Sequence, residues 1–314
     1  MTSDKPILHY PVRGLCGVFG YSRQAYYKQS KREQSASIDL KLKLVKKVFN
    51  VRNKMPTAGC RFIHGEMGPG WPYGRDKTER MLLNMGFGVR YPKNLRRTTK
   101  PGSIVYPNLI LGMEINDLNK VWQSDLTFFY TADGKVNYLI FIMDVYSQRI
   151  VGHGAFRSYP ASVFVTVLNK AINTRKGCDL SGLIFHSDRG SQYGSKLFGN
   201  RLKHHGIIPS MGVYSWENPY AEKCNDLIKN GYLEQWNPNN MKELVVALNR
   251  AVNNHNKYQR KRTRQDMTPI DFEQYVAQCP SNKRMRITLK PKQKYVYRLV
   301  KHKTQSDINN FEDL

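Results

Sequence analysis

Apolar residues follow two different periods along this chain, and the change comes near residue 120. Before it they recur at helical spacing; after it they gather into short runs of strand length. Val12-Arg13-Gly14-Leu15-Cys16-Gly17-Val18-Phe19 has helical spacing, Gly20 breaks it, and Ser22 is placed to cap a second short helix through Gln29. That is helix-turn-helix spacing, with Arg23, Gln24 and Tyr26 near the start of the recognition helix. Ser37 is the next candidate cap, for a longer helix with Ile38, Leu42, Val45 and Phe49 on one face. The simplest reading makes that stripe core and Lys41, Lys43, Lys46 and Lys47 a solvated face. A further helical pair is expected over 61–67 and 76–85, ended by Gly86-Phe87-Gly88.

A basic run over 90–100, with Arg96, Arg97 and Lys100, leads into Pro101-Gly102 and Pro107, so 101–117 reads as a basic linker. Such a linker can track phosphates or simply be solvated. Val121–Tyr130 is then a strand, Ala132-Asp133-Gly134-Lys135 a hairpin turn, and Val136–Tyr146 and Ile150–Phe156 two more strands. Pro160 opens a helix through about Asn173, Gly182–His186 is a fourth strand, Leu197–His205 a helix and Ile207–Ser210 a short fifth strand. Helices over Glu217–Trp236 and Met241–His255 follow, and Arg284–Lys303 alternates basic and apolar residues as a small hairpin would. Three antiparallel strands followed by alternating helix and strand is the order of a ribonuclease H-like α/β fold. The expected organisation is a helical, helix-turn-helix region over 1–100, the linker, a ribonuclease H-like core over 118–280 and a small basic, β-rich tail over 281–314.

Composition narrows the class. The 314 residues carry 50 Lys and Arg against 24 Asp and Glu, a formal charge of +26, which is far more than solubility requires and points to a polyanion. With 40% hydrophobic residues the chain can bury real cores, so wholesale disorder is excluded. No run approaches the roughly 18 apolar residues of a spanning helix, and Met1–Pro6 lacks the apolar core of a signal peptide. The five cysteines are scattered and form no CxxC pair, so neither a zinc ribbon nor a disulfide framework is indicated, and a reducing cytoplasm fits.

Three carboxylates carry the candidate chemistry. Asp188 follows the fourth strand, where open α/β sheets display functional groups. Asp125 lies inside the first strand, where a charge is rarely buried unless paired or bound to metal. In this strand order the first and fourth strands are neighbours, which brings Asp125 beside Asp188 as a pair of Mg²⁺ ligands. A third acid is expected from the following helix, where Glu222 is separated from Asp188 by 33 intervening residues. Two metal ions on such a set can activate a water or sugar hydroxyl and stabilise the leaving oxygen. Each acid also has a plainer reading: a turn cap for Asp188, a core ion pair for Asp125, a solvated face for Glu222. Arg189 and Lys229 are candidate phosphate contacts, His186 a strand-end histidine and Trp122 a core residue.

The string His186-Ser187-Asp188-Arg189-Gly190-Ser191-Gln192-Tyr193 resembles the second-aspartate signature of DDE, integrase-type transposases of bacterial insertion-sequence family three. Val121-Trp122-Gln123-Ser124-Asp125-Leu126-Thr127 resembles that family's first-aspartate strand, Asp144–Gly152 its next hairpin, Asn218–Glu222 its glutamate helix, and Asn254-His255-Asn256 through Phe272 its closing segment. The resemblance reaches most of the chain up to about residue 280, with a looser match in the N-terminal part to the second-frame (OrfB) product. It implies Asp125, Asp188 and Glu222 as catalytic acids and metal ligands for two Mg²⁺ or Mn²⁺ ions. It further implies cleavage at terminal inverted repeats, strand transfer into target DNA, a homodimer or larger assembly on double-stranded DNA, and an upstream-frame partner in a bacterial, nucleoid-associated setting. The family usually has a longer stretch before its glutamate; here Pro219-Tyr220 runs almost directly into Ala221-Glu222, which leaves Glu217 and Asp226 as alternatives for the third acid. A DNA-binding protein that occupies element ends without catalysis is the rival reading.

Overall fold

The computed structural model describes Cys16 and residues 22–89, 105–214 and 217–289, and the chain divides into two units. Residues 12–15 and 17–20 of the first expected helix, the basic residues Arg96, Arg97 and Lys100, and the tail beyond residue 289 lie outside the described residues.

In the first unit Ser22 does cap a helix, its Oγ accepting the Ala25 N–H at 3.1 Å. That helix does not stop at Gln29. It runs as one element, α1, over Arg23–Lys54, with Ser37 in its interior. The segment has no Gly or Pro and is rich in Lys, with Arg, Gln and Leu, so nothing interrupts it. The expected pair follows as α2 (Cys60–Gly65) and α3 (Arg75–Asn84). Leu44 and Val48 of α1 join Cys60, Ile63, Met67, Trp71 and Leu82 in the core, with Leu40 and Val51 packed against it. The stripe expected to be core is therefore the wrong one: Ile38, Leu42 and Phe49 are exposed. Two apolar stripes run along α1, and packing against α2 and α3 selects the one through Leu44.

The second unit begins with Lys54–Thr57 and resumes after residue 88. Strands β2 (Val121–Tyr130), β3 (Val136–Asp144) and β4 (Ile150–Phe156) form an antiparallel meander; a short β1 (Glu114–Ile115) precedes them. Helix α4 (Ala161–Thr174) leads to β5 (Ile184–Ser187), which pairs parallel with β2. Helix α5 (Lys196–His204) leads to β6 (Ile208–Met211), parallel to β5. The sheet order β4-β3-β2-β5-β6 is that of a ribonuclease H-like fold. Residues of β2 alternate between faces. Trp122 and Leu126 enter the core beneath α4 and α5. Val121, with Gln123 and Asp125 on its face, belongs to the opposite side, where Ile110, Ile115, Tyr146, Phe272 and Val276 pack. Helix α4 approaches β4 so closely that a Cβ on Gly152 would lie 2.7 Å from the Val167 carbonyl oxygen.

Past β6 the expected long helix is α6 (Pro219–Ile228), a wider π-type turn over Lys229–Leu233, and α7 (Glu234–Trp236). Asn240 and Thr268 cap α8 (Met241–Tyr258) and α9 (Pro269–Gln278). The tail's β7 (Ile287–Thr288) pairs with β1, and the rest of the expected hairpin lies outside the described residues. No helix among the described residues is long and apolar enough to cross a membrane.

Candidate active site

The parallel register of β2 with β5 sets Val121 opposite Ile184 and Gln123 opposite His186. Two residues further along the same faces stand Asp125 and Asp188, so both point to one side at the carboxyl end of β5. Asp188 is half-buried, its Oδ1 accepting the Gly190 N–H at 3.1 Å. A Cβ on Gly190 would meet that oxygen at 3.0 Å, which explains why glycine follows Asp188-Arg189. Asp125 takes the Leu126 N–H on Oδ1 at 2.9 Å and the Asn225 side-chain N–H on Oδ2 at 2.8 Å. Burial, then the Asp188 charge, and more weakly the Glu222 charge, hold the Asp125 carboxyl well above the usual carboxylate range. The two hydrogen bonds only partly offset this.

Glu222 is exposed in the first turn of α6, within electrostatic reach of Asp125. Among the described residues no three His, Cys, Asp or Glu side chains close on a common point. The fold therefore presents an aspartate pair with a glutamate at its rim. The other candidates for third acid are engaged elsewhere. Glu217 Oε2 accepts the Val213 and Tyr214 N–H groups at 2.5 and 2.9 Å, and its Oε1 accepts from Asn108 at 3.0 Å. Asp226 is exposed and accepts from Asn230 at 2.6 Å.

His186 is buried against Ser210 of β6 at 2.9 Å, and burial pushes its imidazole down to about 4, so it is neutral at pH 7. Tyr193 closes the signature string: its hydroxyl lies 2.8 Å from the Ser124 hydroxyl, which itself donates to the Phe141 carbonyl. Its ring packs edge-on against Phe164 and Phe198. Burial, with the Asp188 and Asp125 charges, pushes the Tyr193 phenol well up. Trp122 is fully buried, as a core residue should be.

The basic candidates are dispersed. Lys229 is half-buried at the π-type turn, Nζ 4.5 Å from the Phe128 ring centroid, and burial lowers its ammonium. Arg189 is half-buried beside Asp188, and its Nε meets no partner among the described residues. Arg23 and Gln24 are exposed at the start of α1, which also carries Tyr26. The amides Gln123, Asn218 and Asn225 escaped sequence reasoning. A usable signal existed for two of them: Gln123 shares a strand face with Asp125, and Asn225 follows Glu222 by three residues on one helix.

Residues 116–214 match the integrase core domain family. A Mycobacterium tuberculosis protein described as a transposase for insertion sequence element IS986/IS6110 is 34% identical over 218 residues, covering 65% of this chain and 77% of that protein. The transposase InsF for insertion sequence IS3A of Escherichia coli (strain K12) is 23% identical, covering 67% of this chain and 74% of that one. A solved HTLV-2 integrase catalytic core domain in complex with magnesium is 18% identical, with a TM-score of 0.41, covering 53% of this chain and 99% of that one. The class is thus an integrase-core polynucleotidyl transferase. The chain belongs to the DDE transposases of bacterial insertion sequences, in insertion-sequence family three.

Proposed function

We propose that Asp125, Asp188 and Glu222 carry the DNA strand cleavage and joining of this transposase. The observation that supports the reading best is the β2–β5 register, which ends at Gln123 opposite His186 and leaves Asp125 and Asp188 each two residues further along. The donor set suits a hard divalent cation, because clustered carboxylate oxygens repel one another and a cation relieves the repulsion. Asp125 and Asp188 would hold it, with Glu222 reaching in from α6. Mg²⁺ or Mn²⁺, as two ions, would supply Lewis-acid stabilisation of charge at the scissile phosphate and a more acidic attacking hydroxyl. The residues themselves position: in-line attack on phosphorus asks little of a protein beyond orientation and charge. Arg189, next to Asp188 in the chain, and Lys229, just past α6, are the proposed phosphate contacts, and Arg23, Gln24 and Tyr26, with the basic Arg96, Arg97 and Lys100, are the proposed DNA contacts beyond the site.

The proposed substrate is a terminal inverted repeat, cut at its 3′ end and joined to target DNA. Joining two ends requires two active sites, so a homodimer or larger assembly on DNA is proposed, with an upstream-frame partner, in the bacterial cytoplasm at the nucleoid. The family relationship does not favour a DNA-binding protein without catalysis. The deciding assay is cleavage and joining of a labelled terminal-repeat duplex in Mg²⁺ or Mn²⁺ by wild type, Glu222→Gln and Glu217→Gln. Activity lost in Glu222→Gln and kept in Glu217→Gln is the expected result. Specific binding without cleavage by the wild type, with the upstream partner supplied, would overturn it.

A further inference from the structure

Helix α6 does not cap itself. Asn218 occupies the capping position, yet its side chain makes no capping bond. Its Nδ2 instead donates to the Ser124 carbonyl of β2 at 2.8 Å. The open N–H groups of Tyr220 and Ala221 are taken by a strand residue, Gln123, whose Oε1 lies 3.0 and 3.3 Å from them. Strand and helix have exchanged roles: the strand caps the helix, and the helix's own capping residue holds the strand. Glu222 makes the first backbone bond of the helix, to the Asn218 carbonyl at 3.2 Å. One turn on, Asn225 Nδ2 holds Asp125 Oδ2 at 2.8 Å. The helix is thus gripped on both sides of Glu222, and each grip lies on β2 within two residues of Asp125.

We propose that Gln123 is a positioning residue, a cap supplied across from β2 that fixes where Glu222 stands relative to Asp125. The proposal rests on the reading that these two acids act together. Chemistry at Gln123 favours this over simple packing. The residue is 1% exposed, and its Nε2 has no hydrogen-bond partner among the described residues, so the acceptor oxygen is the polar contribution seen there. A carboxylate would serve a helix N-terminus at least as well. A neutral amide is what supplies that acceptor without adding a further negative charge beside Asp125 and Asp188.

The test uses the full chain with Gln123→Met, which keeps the shape and removes the acceptor, and Gln123→Glu, which keeps the acceptor. Mn²⁺ affinity without DNA is read from the electron paramagnetic resonance of free Mn²⁺, beside single-turnover cleavage and a thermal melt. Gln123→Met is expected to fold and to lose about 10- to 100-fold in both Mn²⁺ affinity and cleavage rate. Gln123→Glu is expected to recover the Mn²⁺ affinity and most of the cleavage rate, its added charge costing the rest. Should Gln123→Met not fold, Gln123→Asn, one methylene short of the helix, is expected to fold and show the same loss. Wild-type Mn²⁺ binding and cleavage in the folded acceptor-deleted or shortened variant would overturn the proposal, as would a Gln123→Glu variant as impaired as Gln123→Met. Asp125→Asn separates the two readings. If it is dead while Gln123→Met is normal, only the cap fails; if it still cleaves, the site and the cap fail together.

Discussion

The sheet carries two carboxylate clusters, and they are built on opposite principles. At one end Asp144, opposite Trp122 in the β2–β3 register, and Glu273 of α9 share a buried network with Arg149 and Arg175. Arg175 grips both Glu273 oxygens, and Arg149 Nη1 reaches Oε2 at 2.5 Å. Asp144 takes the Asn119 and Ser147 N–H groups at 2.7 and 2.9 Å. Burial would raise the Glu273 carboxyl, but its bonds to Arg175 and then Arg149 bring it below the usual range. At the other end burial and the charge of Asp188 raise Asp125, opposed only by an N–H and an amide. Two cations answer two anions in the first cluster; in the second, carboxylates face one another. The first holds the fold together, and the second is the set proposed to hold a divalent cation.

The widest separation between the two clusters should appear in cleavage. Asp125→Asn or Asp188→Asn is expected to lower strand cleavage on the order of 10³-fold or more, while Asp125→Asn melts no lower than wild type in metal-free buffer. The sign follows from the raised Asp125 carboxyl: ionised at pH 7 it costs stability, and a neutral amide removes that cost. A gain of about 2–4 °C per kcal/mol relieved is expected. A large drop in melting temperature for Asp125→Asn would place it with the structural cluster and end the contrast.

Glu273→Gln should do the reverse. It leaves Arg149 and Arg175 without their shared anion, and Arg175 is buried. Breaking such a pair costs roughly 3–5 kcal/mol, equivalent to roughly 6–20 °C in melting temperature for a domain of this size. Whatever fraction remains folded is expected to cleave at close to the wild-type rate. Calorimetry and single-turnover assays on one preparation check both halves, and a stable but inactive Glu273→Gln would contradict the division.

The fold and the acid cluster were unequally legible in the sequence. Every strand of the main sheet and the Asp125–Asp188 pairing could be read, because strand period, turn residues and strand order are local signals that the sheet merely assembles. The face of α1 could not: its two apolar stripes are equivalent until α2 and α3 choose one. The role of Ser37 was misread because serine is a common cap, yet no Gly or Pro breaks the helix before it. The exchange of capping between Gln123 and Asn218 was invisible, since it depends on residues 95 positions apart meeting side by side. Glu273 carries no local mark of its partners either, since Arg149 and Arg175 lie about a hundred residues away in the chain.

The smallest effect expected is the dependence of stability on pH, and it couples both clusters to two neutral histidines. Burial pushes His186 down to about 4 and His255, bonded to the Gln148 carbonyl at 2.9 Å, down to about 3. Below about 6.5 the unfolded chain binds a proton at each histidine while the folded chain does not, so stability is complete above that value and falls as the solution is acidified. Each contributes a loss of about 1.4 kcal/mol per pH unit, or about 2 kcal/mol between pH 6.5 and 5. Asp125 acts in the opposite sense: its raised carboxyl takes up a proton in the folded state first, and acidification removes its repulsion with Asp188. The decline of melting temperature from pH 7 to 5 should therefore be steeper in Asp125→Asn than in wild type. It should be shallower in His255→Gln, which keeps a donor for Gln148 and cannot titrate. Equal slopes in all three proteins would mean that neither the histidines nor the acid pair exchanges protons on unfolding, and the contrast between the two clusters would then rest on their geometry alone.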